Sequence, residues 1–144
     1  MKQIIGRSDI VDLPDLDLFD IEAKVDTGAR TSAINCHDVE EKVINGKKYI
    51  EFYLLDPEHP AFNDKVIRVS DYTTRTVKNS FGQAEERYVF ATKILLFGQE
   101  IKTQFTLSNR SDLKFSILLG RRLLAKRFLV DVSQKNLSFN QKNK

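Results

Sequence analysis

Hydrophobicity along this chain alternates with a period of two, in short runs separated by turn-forming residues. Ile21-Glu22-Ala23-Lys24-Val25 sets apolar residues against charged ones, the pattern of a strand with one buried face and one wet face. Val43-Ile44-Asn45-Gly46-Lys47-Lys48-Tyr49-Ile50 places Asn-Gly between two such runs, the strongest short-range hairpin signal. Lys65 to Val69, Arg75 to Val77 and Glu86 to Leu96 read as further strands. Phe97-Gly98-Gln99-Glu100 turns the last of these back into Ile101 to Leu107. Phe128 to Val132 and Asn136 to Phe139 read as a closing hairpin around Ser133-Gln134-Lys135, with Gln141 to Lys144 as a frayed end. One segment, Gly120 to Arg127, reads as a short helix that places Leu123 and Leu124 on one side. Strands recurring about every eight to twelve residues, with one short helix near the end, predict an all-β barrel or sandwich.

At 144 residues the chain is read as one domain, 1–144, long enough to bury roughly two thirds of its unfolded surface without a staple. Its single cysteine, Cys36, offers no intrachain disulfide and fits a reducing compartment. With only two histidines, His37 and His59, zinc ribbons and three-histidine zinc sites are excluded within one chain. Five aspartates follow the Ile4-Ile5 pair within the first twenty residues, so no secretory signal is read there. Nothing approaches the roughly 20 apolar residues of a membrane span. The expected location is the cytoplasm, with no membrane partner. Net charge is +3; basic residues gather from Ser116 onward, where Asp131 is the lone acid. Without an aromatic-plus-basic motif this is read as a solvated face, and nucleic acid is set aside as a partner.

The chemistry concentrates in Ala23-Lys24-Val25-Asp26-Thr27-Gly28-Ala29-Arg30-Thr31-Ser32-Ala33, where an alternating strand runs into Asp-Thr-Gly and a run of small residues. Small neighbours leave room beside the carboxylate and let backbones approach closely. Alone, Asp-Thr-Gly is also an ordinary turn. A second element follows far downstream: Phe115-Ser116-Ile117-Leu118-Leu119-Gly120-Arg121-Arg122-Leu123-Leu124, an apolar strand ending in Gly-Arg before the helix.

These two elements, in this order, resemble those of the retropepsins, the single-domain aspartic proteases typified by retroviral enzymes. Asp-Thr-Gly-Ala-Arg-Thr-Ser-Ala, with Ser108-Asn109-Arg110 and Leu118-Leu119-Gly120-Arg121, is more narrowly similar to a bacterial retropepsin-like family. That family has long carried the label of ATP-dependent zinc protease and is linked with ATP-grasp enzymes that ligate glutamate. The resemblance spans about Ile4 to Phe139 and implies the acid-protease fold, a closed β-barrel with one short C-terminal helix. The older label finds no support in the residues. His-Glu-x-x-His and Gly-x-x-x-x-Gly-Lys-(Ser/Thr) are both missing, and Cys36-His37 lacks a third ligand of usable spacing. No metal, ATP or other cofactor is expected.

Aspartic proteolysis needs two carboxylates about 3 Å apart that share a proton. With one Asp-Thr-Gly per chain, the resemblance implies a homodimer in which Asp26 of each subunit meets on a two-fold axis. It implies that Thr27 braces the two loops across the dimer, with Gly28 completing the catalytic turn. Ala29, Arg30 and Arg121 would line the substrate. The hairpin around Asn79-Ser80-Phe81-Gly82-Gln83, flanked by Arg75-Thr76-Val77, would be a flap closing over it; an ordinary exposed hairpin is the alternative. Phe81 departs from the glycine-rich viral flap tip. Arg30 departs further, since viral enzymes carry an acid there that pairs with the arginine of Gly-Arg. Arg121 must therefore find another partner, with Asp112, Asp131 or an acid of the other subunit as candidates. Arg30 with Arg75 would make the cleft cationic, whereas Arg122 is read as facing solvent. The expectation is an endopeptidase for acidic or glutamate-rich peptides. The alternative is a non-enzymatic barrel that binds acidic peptides.

Overall fold

The computed structural model describes residues 2–78, 81–109 and 114–143. Strands β1 (Gln3–Ile5), β2 (Ser8–Leu13) and β3 (Leu18–Val25) lead into two long partners, β4 (Ser32–Ile44) and β5 (Lys47–Leu54). Then come β6 (Val66–Val69), β7 (Tyr72–Lys78), β8 (Ala84–Leu96) and β9 (Gln99–Ser108). The chain finishes with β10 (Ile117–Leu119), α1 (Arg121–Leu124), β11 (Phe128–Val130) and α2 (Leu137–Lys142). The alternation in β3 is realised as expected: Ile21, Ala23 and Val25 are buried while Glu22 and Lys24 are exposed.

The main sheet closes on itself. β10 lies between β3 and β4, and from β3 the hydrogen bonding passes through β2, β8 and β9 back to β4. Two neighbours in this ring, β10 with β3 and β9 with β4, are parallel, so the barrel is not a simple meander. β5 and β6 extend the sheet outward from β4, and β7 folds onto β8 as a hairpin. Phe52, Phe105, Ile21, Ile34, Ile94 and Leu119 are among the fully buried core side chains. Among the described residues no helix is long and apolar enough to cross a membrane. The all-β barrel expectation holds.

The C-terminal end departs from it. Asn136 to Phe139 are not a strand, and Gln141-Lys142 are not frayed; Leu137 to Lys142 form helix α2, with Asn136 as its N-cap. β11 pairs instead with β1, in parallel. Asn136 enters a left-handed conformation (φ 59°) that breaks the extended path, and its own side chain makes no capping bond. The cap comes from across the molecule. The buried carboxylate of Asp9 accepts the N–H groups of Ser138 (2.9 Å) and Phe139 (3.1 Å), two donors of the first turn that otherwise lack a partner. At the other end Lys142 Nζ donates to Asp12 (3.0 Å) and Asp20 (3.5 Å). The acidic N-terminus thus clamps a basic C-terminal helix.

Asp9→Ala strands the N–H groups of Ser138, Phe139 and Ile10, the last of which also donates to Asp9 (2.8 Å). Each unsatisfied buried donor costs about 1–3 kcal/mol. The urea midpoint should fall, and amide exchange in α2 should accelerate ahead of the barrel strands. An unchanged midpoint would refute the clamp.

Candidate active site

Asp26 stands immediately after β3, half-buried, at the point where the ring is threaded by β10. Its backbone N–H donates to the Leu119 carbonyl (2.9 Å), and its carbonyl accepts the Ala29 N–H (3.2 Å). Its carboxylate Oδ1 accepts the Gly28 N–H (3.0 Å). A Cβ on Gly28 would sit 3.3 Å from that oxygen. Glycine therefore lets the loop wrap tightly around the carboxylate. Thr27 and Arg30 are exposed and Ala29 is half-buried.

The two sequence elements meet through backbone bonds. Arg121 N–H donates to the Ala29 carbonyl (2.8 Å) and Arg122 N–H to the Arg30 carbonyl (3.0 Å). Gly120 N–H donates to Ser32 Oγ (3.0 Å) inside the protein. A Cβ on Gly120 would fall 2.7 Å from the Thr31 carbonyl carbon; only glycine permits this approach. Arg121 also finds its side-chain partner here, donating from Nη1 to the Thr27 carbonyl (3.0 Å). Of the acids considered for it, Asp131 has other partners. Asp131 is engaged by Ser133 and Gln134, which hold its carboxyl below the ordinary range. Asp112 lies outside the described residues, as do Asn79, Ser80 and Arg110.

Arg75 reaches the same region from β7. Its Nη1 donates to Thr31 Oγ1 (2.9 Å) and its Nη2 to Gln104 Oε1 (3.4 Å). Phe81 and Gly82 sit at the exposed tip of the β7–β8 hairpin, where Gly82 takes a positive φ of 77°. Arg122 is exposed, and its Nη1 donates to Gln104 Oε1 (2.8 Å). Gln104 was not singled out from sequence, and Thr31 and Ser32 stood there only as members of the Asp-Thr-Gly segment, without roles of their own. All three are ordinary polar residues of a strand or its approach, and only the fold gives them neighbours.

The remaining soft ligands are occupied by packing. Cys36 is buried, and burial pushes its thiol up to about 12, so the thiolate that binds metal is suppressed at neutral pH. His37 stacks on Tyr53 (5.4 Å between ring centroids), lies against Phe62 (5.7 Å), and places Nδ1 3.0 Å from the Leu55 carbonyl oxygen. Among the described residues no three His, Cys, Asp or Glu side chains converge as a metal site would require.

Comparison with known proteins bears on the fold and the family. A solved structure of protein Lpg0085 from Legionella pneumophila, a protein of unknown function (DUF785), superposes with a TM-score of 0.76 over 96% of this chain and 99% of that one. The two share 22% identity, and the likeness speaks to fold. A protein of Shewanella pealeana named "Probable alpha-L-glutamate ligase" is 34% identical over 137 residues, covering 92% of this chain and 29% of the relative. One of the same name from Shewanella halifaxensis is 35% identical over 139 residues, with the same coverage. The chain thus spans less than a third of these curated relatives. The family model described as "Retropepsin-like aspartic endopeptidase RimB" (RimB-like) matches residues 4–141. The chain belongs to the RimB-like family of retropepsin-like proteins.

Proposed function

We propose that this chain is an aspartic endopeptidase that acts as a homodimer, with Asp26 of each subunit forming the dyad, on acidic or glutamate-rich peptides. The observation that carries the reading is the bracing of the Asp26 loop by Leu119, Gly120 and Arg121. A carboxylate so held can be pre-aimed at a reacting centre, which a plain turn has no need to do. In the dyad one carboxylate takes a proton from a water while the water oxygen bonds to the scissile carbonyl carbon. The other gives its proton to the carbonyl oxygen. Collapse of the resulting diol breaks the C–N bond as the nitrogen gains a proton, and the dyad is left with one proton again. Thr27, exposed beside Asp26, braces the partner loop. The β7–β8 hairpin with Phe81 and Gly82 is the flap. Arg30, Arg75 and Arg121 give the cleft its positive field.

A second reading has a specific observation behind it. The chain matches a segment of longer proteins named as glutamate ligases. A domain of this kind could present an acidic peptide to a ligase, or act on its product, with or without hydrolysis.

One assay separates them. Matched peptides carrying Glu, Gln or Lys around a central bond are incubated with the purified protein, with and without EDTA, over a range of protein concentrations. The peptidase reading expects hydrolysis of the Glu peptide about ten- to a hundred-fold faster than the Lys peptide, the range for a charge-assisted pair. It also expects specific activity that falls on dilution as dimers dissociate, and indifference to EDTA. Binding without cleavage supports the second reading. Loss on chelation restored by zinc would overturn the metal-free mechanism.

A further inference from the structure

Beside the Asp26 loop two guanidinium groups converge on one neutral oxygen. Arg75, half-buried on β7, and Arg122, at the start of α1, both donate to Oε1 of Gln104 on β9, at 3.4 and 2.8 Å. Arginine has no acceptor, so the amide must turn its oxygen toward both. Neither guanidinium forms an ion pair among the described residues. Other cations of the surface do converge on acids. Glu51 draws in both Lys42 and Arg68, and the exposed Lys142 is shared between Asp12 and Asp20. Two like charges gathered on a partial negative charge leave an electrostatic demand that a full carboxylate would meet, through the forked donors arginine offers.

We propose that Arg75 and Arg122, held in place by Gln104 and Thr31, form a carboxylate-binding subsite on the flank of the Asp26 loop. It takes a Glu or Asp side chain of a bound peptide. The site is built from four separate parts of the chain. Thr31 Oγ1 fixes one nitrogen of Arg75 (2.9 Å), and the Arg122 backbone is tied to the Arg30 carbonyl (3.0 Å). Both cations are therefore positioned by the same segment that carries the catalytic loop. The proposal rests on the acidic-peptide reading above and adds to it: the acid is read by Arg75 and Arg122 at Thr31, apart from Arg30.

Gln104→Glu is the discriminating change, because it keeps the side-chain shape and supplies the missing carboxylate from within. A purely structural bridge would only be strengthened by it. A subsite would be filled by it. Fluorescence anisotropy of labelled hexaglutamate and hexaglutamine is measured on the Asp26→Asn protein, which binds without cleaving, alone and combined with Gln104→Glu or Arg122→Gln. Each added change should weaken hexaglutamate binding about ten-fold, the worth of a charged hydrogen bond, with hexaglutamine much less affected. Hexaglutamate affinity within about two-fold of the parent in a folded Gln104→Glu protein overturns the subsite. So does a parent that does not favour hexaglutamate. Because Arg122 is exposed, Arg122→Gln decides the matter should Gln104→Glu not fold. The two readings fail separately. Wild-type protein that binds hexaglutamate in a Gln104-dependent way but cleaves nothing removes the peptidase and keeps the subsite. Cleavage indifferent to Gln104→Glu does the reverse.

Discussion

Asp26→Asn leaves the barrel folded and lowers peptide hydrolysis by roughly 10²–10⁴-fold or more, the contribution of a positioned proton-transfer group. The substitution is nearly isosteric, and its amide oxygen can still accept the Gly28 N–H that now reaches Oδ1 at 3.0 Å. What it removes is the ability to hold and release a proton at any working pH. A dimeric dyad adds a sharper expectation. In an equimolar, fully exchanged mixture of wild type and variant, about one dimer in four carries two aspartates, by simple statistics on a two-fold interface. Activity per wild-type subunit should therefore halve. If mixing leaves it unchanged, each chain works alone. Near-normal peptidase activity in the variant would remove Asp26 from the mechanism altogether.

Gly120→Ala should cost both stability and activity. The added methyl carbon would lie 2.7 Å from the Thr31 carbonyl carbon, 2.8 Å from its oxygen and 3.0 Å from the Ala29 oxygen. All three are backbone atoms, so no side chain can swing aside. The loop from Ala29 to Thr31 has to move away from the Gly120–Arg122 segment, weakening the bonds from Arg121 and Arg122 that hold it. Overpacking of a tight interior costs about 1–3 kcal/mol. The urea midpoint should drop accordingly, and kcat should fall further than global unfolding explains, because a small misplacement of a catalytic group is expensive. An unchanged midpoint would show that the loop yields freely.

The features legible in the sequence were those whose cause is local. Asn45-Gly46 and Phe97-Gly98 both turn their hairpins with positive φ, at 52° and 78°, and 52° and 73°, as Asn and Gly favour and Phe97 does not. Period-two alternation marked β3 because its two faces meet core and water. Asp-Thr-Gly and Leu-Gly-Arg were recognisable as separate motifs, and the fold supplies the reason they occur together: each braces the other. The misreadings have one physical origin. Leu137-Ser138-Phe139 alternates like a strand, but the helix there is capped by Asp9, 129 residues away from Ser138. Arg75 and Thr31 meet across 44 residues, and Arg122 and Gln104 across 18. Period and propensity carry no trace of such pairings.

The placement of β10 between β3 and β4 bears on how the protein comes into being. β3 and β4 are neighbours in sequence, yet the strand that joins them in space lies some 70 residues beyond β4. On a ribosome Asp26 emerges well before β10, and most of the sheet follows it, while the slot between β3 and β4 stands open. Until Ile117–Leu119 arrives, two bare strand edges invite pairing with other chains, and the Asp26 loop lacks its supports. Such long-range closure is a slow step in folding. The Asp26 loop is thus left without its braces until Ile117–Leu119 has been synthesised, and a chain interrupted before Ile117 is an aggregation hazard.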